Sequence, residues 1–184
     1  TASHNPALWN GFKYKPDYAG SASPEVVEAL EQELDKLASG NGVKRLPLET
    51  GLARGIIKRF DPKPAYLEHA SDMVDLAALR SSGLKIVVDS MYGAGAVYIA
   101  DLLEGGSTQV IEINAEPNPN FPGIHNPEPI AHNLDKLSST ILEVGGHLGI
   151  ATDGDADRLG IIDEKGAFIN QLQSFALLTL YMLE

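Results

Sequence analysis

Apolar residues recur at helical spacing early in the chain, where Val26, Val27, Leu30, Leu34 and Leu37 share one face of a stretch that opens at Ser23-Pro24 and stops at Gly40. Serine suits the N-cap and proline the first turn, so this pattern predicts a helix to about residue 38. A short apolar run predicts a strand over 56–60, ahead of Asp61-Pro62-Lys63-Pro64, whose proline pair marks a boundary. Leu67, Ala70, Val74 and Ala77 then predict one helix over 65–80.

From Leu84 the period changes. The pattern predicts a strand over 85–89, a turn at Gly93-Ala94-Gly95, a helix to Leu103 and a strand over 109–114, which together make a βαβ unit. A proline-rich loop over 116–129 leads to a predicted helix over 130–144. Short buried strands follow over 146–151 and 159–162, then a hairpin turn at Glu164-Lys165-Gly166 and a leucine-rich helix over 171–184. Strands alternating with helices imply an α/β fold of three-layer α/β/α domains with mixed, mostly parallel sheets. Ligands of such sheets bind at the carboxyl ends of the strands, where residues 152–158 fall.

Those residues contain Asp153-Gly154-Asp155-Ala156-Asp157-Arg158, three carboxylates on alternate positions closed by an arginine. Anions this close repel unless they share a cation, and a hard divalent ion such as Mg²⁺ prefers oxygen ligands. Gly154 permits a tight turn. Arg158 adds a permanent positive charge suited to a phosphate oxygen, so the loop suggests phosphate chemistry. A calcium hand fits poorly, because its sixth position would be Arg158 where glycine is needed and its flanks would be helices. A solvated turn is the remaining bland reading. Gly93-Ala94-Gly95 lacks the further signature of a nucleotide loop and reads as a structural turn. Asn126-Pro127-Glu128-Pro129 reads as a rigid connection rather than a site.

Composition narrows the partners. The 184 residues are 43% hydrophobic and carry a net charge of −11, enough for a buried core and the wrong sign for nucleic acid or an anionic membrane. With no cysteine, disulfides and thiol catalysis are excluded and any metal must be held by oxygen or imidazole. No apolar run is long enough to span a membrane and no basic-then-apolar leader opens the chain, so a cytoplasmic location is expected. The start at Thr1 and the stop at Glu184 read as the edges of a fragment.

A second constellation sits at the start. Thr1-Ala2-Ser3-His4-Asn5-Pro6, followed by Trp9-Asn10-Gly11-Phe12-Lys13, collects a hydroxyl, an imidazole and an amine on irregular backbone. Serine needs a base, a metal or an attached phosphoryl group to act. The same residues also fit a plain Asn-Pro turn.

The two motifs together resemble the α-D-phosphohexomutases, the family containing phosphoglucomutase and phosphomannomutase. Residues 1–6 are like its phosphoserine loop and residues 153–158 like its magnesium loop, in that order; Asn10-Gly11-Phe12-Lys13 also matches. The resemblance implies that Ser3 is a phosphoserine that hands its phosphoryl group to a hexose phosphate, through a hexose 1,6-bisphosphate, and takes back the other. It implies Mg²⁺ held by Asp153, Asp155, Asp157 and one phosphoserine oxygen of Ser3. It further implies Lys13 as general acid/base, His4 orienting the reacting groups, Arg158 holding the phosphoserine or transferring group, and Asn5 supporting the loop. It divides the chain into the end of an incomplete first domain (1–61), a second domain with the metal loop (62–168) and the first helix of a third (169–184). The remaining domains of a parent chain would supply most substrate contacts. Two other readings stay open: a Mg²⁺-dependent phosphatase with an aspartate nucleophile, and a cation-binding domain that transfers nothing.

Overall fold

The computed structural model describes residues 11–40 and 42–183. They fall into two compact units, Gly11–Pro62 and residues 63–183.

In the first unit, α1 (Pro24–Ser39) starts with Pro24 in its first turn behind an extended Ser23. Its apolar face, with Phe12 and Tyr14, lines a groove of ≈ 640 Å³. A second helix, α2 (Leu48–Ala53), has no counterpart in the apolar pattern. The strand expected over 56–60 does not form. The Ile56 and Ile57 N–H groups both donate to the Gly51 carbonyl, at 3.0 and 3.1 Å. Ile57 lies over Gly51 so closely that a Cβ there would stand 2.5 Å from Ile57 Cδ1. The backbone groups that a strand would offer a neighbour therefore close the end of α2 instead.

The second unit opens with α3 (Lys63–Met73) and α4 (Leu76–Ser81), where the pattern predicts one helix. The break is at Asp75, whose carboxylate accepts the Ala78 N–H at 2.9 Å. Aspartate competes for backbone donors in a helix interior and satisfies them at an N-cap, so the cap wins. The remaining elements are β1 (Lys85–Asp89), α5 (Tyr98–Leu103), β2 (Gln109–Ile113), a 3₁₀ turn Ala131–Asn133, α6 (Asp135–Val144), β3 (Leu148–Thr152), β4 (Leu159–Ile162), β5 (Phe168–Ile169) and α7 (Gln171–Leu183). The helix expected over 130–144 is thus α6 preceded by a 3₁₀ turn, because the Asn133 amide is drawn onto the 126–128 backbone. Gly145, at φ 63°, ends α6 in the left-handed conformation that glycine adopts at no steric cost. Asn170 and Gln173 cap α7 reciprocally: each side-chain oxygen accepts the other's N–H, at 3.0 and 3.1 Å.

The five strands form one mixed sheet in the order β2-β1-β3-β4-β5. β1 runs parallel to both β2 and β3, whereas β4 and β5 return antiparallel. Alternation along the strands builds a core on each face. Val87, Ala151 and Ile162 meet Leu134, Leu137 and Ile141 from the α6 side. Ile86 and Val88 meet Leu103 from α5, with Leu76 of α4 beside them. The unit is therefore three layers, α/β/α. Gly149 lets α6 lie close on the sheet, since a Cβ there would stand 3.0 Å from Ile162 Cβ and 3.1 Å from Leu137 Cγ.

Leu137 is fully buried in the α6 core, whereas Leu172 of α7 is 82% exposed. Leu137→Ala is expected to cost about 2–5 kcal/mol in urea unfolding, and Leu172→Ala to stay within about 0.5 kcal/mol. Equal effects would mean that the α6 face is not where the stability resides.

Candidate active site

β3 leaves the sheet at Thr152, at the carboxyl end of its parallel pairing with β1, and delivers the acidic loop there. Asp153 is fully buried; its Oδ1 accepts the Arg158 N–H at 2.9 Å and its carbonyl accepts the Ala156 N–H at 3.1 Å. Ala156, at φ 62°, completes the turn. This folding turns all three carboxylates toward one point. One oxygen each from Asp153, Asp155 and Asp157 lies within 4.8 Å of the others. Charges at that separation repel by roughly 3 kcal/mol per pair at an effective dielectric constant of 20. Asp155 Oδ1 is buried with no hydrogen-bond partner among the described residues, as expected of a ligand oxygen aimed at an ion. An all-oxygen donor set of this charge fits a hard divalent cation such as Mg²⁺.

The wall behind the loop is the Gly93-Ala94-Gly95 turn. Ala94 N–H donates to the Gly154 carbonyl at 3.0 Å. A Cβ on Gly93 would stand 2.7 Å from that oxygen and 3.0 Å from the Asp153 carbonyl; one on Gly95 would stand 2.8 Å from Thr152 Oγ1. The turn is structural, as expected, and its glycines let two backbones touch.

Buried Asp89 sets the turn in place from the end of β1. Its Oδ1 accepts the Met91 N–H and the Asn114 amide, each at 2.9 Å, while Asn114 in turn accepts Lys136 Nζ at 2.7 Å. Asn114 also accepts the Tyr92 N–H on its carbonyl at 2.8 Å, so Met91 and Tyr92 are held at φ 45° and 59°. Burial pushes the Asp89 carboxyl above the usual aspartate range; the Met91 and Asn114 hydrogen bonds and the Lys136 charge oppose the shift without cancelling it.

Arg158 Nη1 donates to Glu128 Oε1 at 2.9 Å. Glu128 belongs to the segment read from sequence as a rigid connection, so the structure brings one more charged group to the loop. A carboxylate bracketed by two prolines was the available signal. Lys13 is exposed and lines the apolar groove along α1, in the first unit; the acidic loop lies in the second. Ser3, His4 and Asn5 lie outside the described residues. No described helix is long and apolar enough to cross a membrane.

Residues 64–166 match a family model described as phosphoglucomutase/phosphomannomutase, alpha/beta/alpha domain II. A "Probable phosphoglucosamine mutase" of Pyrococcus furiosus is 33% identical over 184 residues, covering 100% of this chain and 38% of that protein. A "Phosphoglucomutase/phosphomannomutase" of Thermococcus kodakarensis is 34% identical over 96% of this chain and 37% of its own length. The crystal structure of a "putative phosphomannomutase" from Thermus thermophilus superposes with a TM-score of 0.84 at 34% identity, covering 100% of this chain and 40% of that one. The chain thus spans well under half the length of these relatives.

Two outcomes follow for the loop. In calorimetric titration with Mg²⁺, Asp155→Asn and Gly93→Ala are both expected to weaken binding by about 10-fold or more, the first by removing a ligand and the second by displacing the loop backbone; unchanged affinity in Asp155→Asn would exclude it as a ligand. Because the folded pKa of Asp89 is raised, its contribution to stability is fully present below the unfolded aspartate value and is lost as pH rises toward the folded one. The stability of Asp89→Asn relative to the unsubstituted protein should therefore climb with pH through that window and then level, as read by urea unfolding across pH. A difference that is flat with pH would contradict the shift.

Proposed function

This chain belongs to the phosphoglucomutase/phosphomannomutase family, and from that premise we propose that it carries the phosphoserine loop and the metal loop of a mutase interconverting hexose 1-phosphate and hexose 6-phosphate. The observation that carries the reading is the acidic loop itself: three aspartate oxygens within 4.8 Å of one another, with Arg158 at its end, inside the segment matched to the family's domain II. In this reading the chain works within a longer cytoplasmic polypeptide. Residues 1–61 end its first domain, 62–168 form the second and 169–184 begin the third, and the other domains recognise the sugar.

The chemistry is two phosphoryl transfers of opposite sense. In the first, a substrate hydroxyl attacks the phosphorus carried by Ser3 Oγ; the new P–O bond forms to the sugar, the bond to Ser3 breaks with its electron pair staying on Oγ as the anion that attacks in the second transfer, and the hydroxyl proton passes to Lys13. The product is a hexose 1,6-bisphosphate. After it reorients, Ser3 Oγ attacks the other phosphoryl group, and the sugar oxygen released takes its proton back from Lys13. His4 orients the reacting groups and Asn5 supports the Ser3 loop. Arg158 binds phosphate oxygens through its guanidinium and stabilises the charge that spreads over them in a loose transition state. Mg²⁺ held by Asp153, Asp155, Asp157 and a phosphoserine oxygen of Ser3 supplies positive charge at the phosphoryl group when bound.

The test is peptide mass spectrometry after exposure of the longer polypeptide to Mg²⁺ and a hexose 1,6-bisphosphate. One phosphate on Ser3, absent from Ser3→Ala and strongly reduced in Asp155→Ala, is expected; no phosphate on Ser3 in a folded, metal-bound protein would overturn the reading. The 184-residue chain alone should show little or no mutase turnover, and Arg158→Ala in the longer polypeptide should lower kcat by about 10²–10³-fold.

A further inference from the structure

Arg158 is fixed at both ends. Its backbone N–H is bound by Asp153 Oδ1 and its Nη1 by Glu128 Oε1, both at 2.9 Å. An exposed ion pair usually contributes little, because two flexible side chains must be ordered to form it. Here one partner is ordered beforehand. Pro127 and Pro129, on either side of Glu128, are fully buried. The second carboxylate oxygen of Glu128 accepts the Asn126 amide at 3.2 Å. Its carbonyl accepts the Asn133 amide and the Ile130 N–H, each at 2.9 Å, and the same Asn133 nitrogen donates to the Asn126 carbonyl at 3.1 Å. The segment is also pressed onto β4, since a Cβ on Gly160 would stand 2.7 Å from the Pro129 carbonyl. So a carboxylate distant in sequence is presented to the guanidinium by backbone with little freedom.

We propose that Glu128 is a positioning residue, holding Arg158 by Nη1 so that the other edge of its guanidinium stays aligned for a phosphate oxygen at the acidic loop. The inference rests on the mutase reading above. A guanidinium offers five donors in a fixed fork, and committing one of them leaves Nε–H and Nη2 for bidentate phosphate binding while removing the rotational freedom of a long side chain. Positioning of this kind acts on the chemical step rather than on substrate capture.

The experiment uses the longer polypeptide with Glu128→Gln, Arg158→Ala and the double variant, reading kcat, KM and Mg²⁺ affinity. Glutamine keeps the length and an acceptor but removes the charge. Glu128→Gln is expected to lower kcat about 10–100-fold, with KM and Mg²⁺ affinity unchanged and no further loss when added to Arg158→Ala. An unchanged or increased kcat, an equal loss in the Arg158→Ala background, or a parallel loss of Mg²⁺ affinity would overturn the proposal. Turnover that survives Ser3→Ala would instead sink the mutase reading. Positioning is then still read directly: the Arg158 Nε–H NMR resonance should lose order in Glu128→Gln, and retained order overturns the inference whatever the turnover shows.

Discussion

Three carboxylates held within 4.8 Å of one another are the constraint around which the second unit is arranged. Left to itself such a loop would spread into solvent, because each pair of anions gains by separating and each oxygen gains by hydration. The fold prevents this by burying Asp153, tying its carboxylate to the backbone of Arg158 and backing the loop with a turn that has no side chains at Gly93 and Gly95. The loop backbone is thus held by the protein's own contacts, and a site held in this way spends less of its binding energy on ordering.

The contacts that hold the loop extend back into the sheet. Parallel pairing of β1 with β2 and β3 brings Asp89, Ile113 and Ala151 to one register line at the carboxyl edge. Asp89 then organises the 90–93 backbone, which places Gly93, which supports Gly154. Burial of that carboxyl costs stability, and hydrogen bonds from Met91 and Asn114 offset part of the cost. Stability given up beneath the loop is the usual companion of a preorganised functional site.

Much of this was legible in the sequence. Strands β1 to β4 announce themselves as short apolar runs bounded by turn residues, and the alternating acids of residues 153–157 are a local pattern with a physical meaning. Elements decided by competition between local forces were not. The run over 56–60 is apolar enough for a strand, but its N–H groups are taken by Gly51. The helix over 65–80 has an unbroken apolar face, yet Asp75 gains more as a cap. The contact between Glu128 and Arg158 was not legible, because the partner is thirty positions away and nothing local to Asn126-Pro127-Glu128-Pro129 says what the carboxylate faces. For Ser3, His4 and Asn5 the assignment rests on motif resemblance, since they lie outside the described residues.

The family relationship gives the loop its chemical context, and the loop in turn is the part of the account most open to direct observation. In the proposed reading Asp153, Asp155 and Asp157 together hold a divalent ion at the mouth of the sheet. A crystal grown with Mn²⁺, an oxygen-seeking stand-in for Mg²⁺, would locate that ion by anomalous scattering. One peak is expected, within bonding distance of an oxygen from each of the three aspartates. A peak elsewhere, or one bound by a single exposed carboxylate while Asp153 and Asp155 remain unengaged, would contradict it.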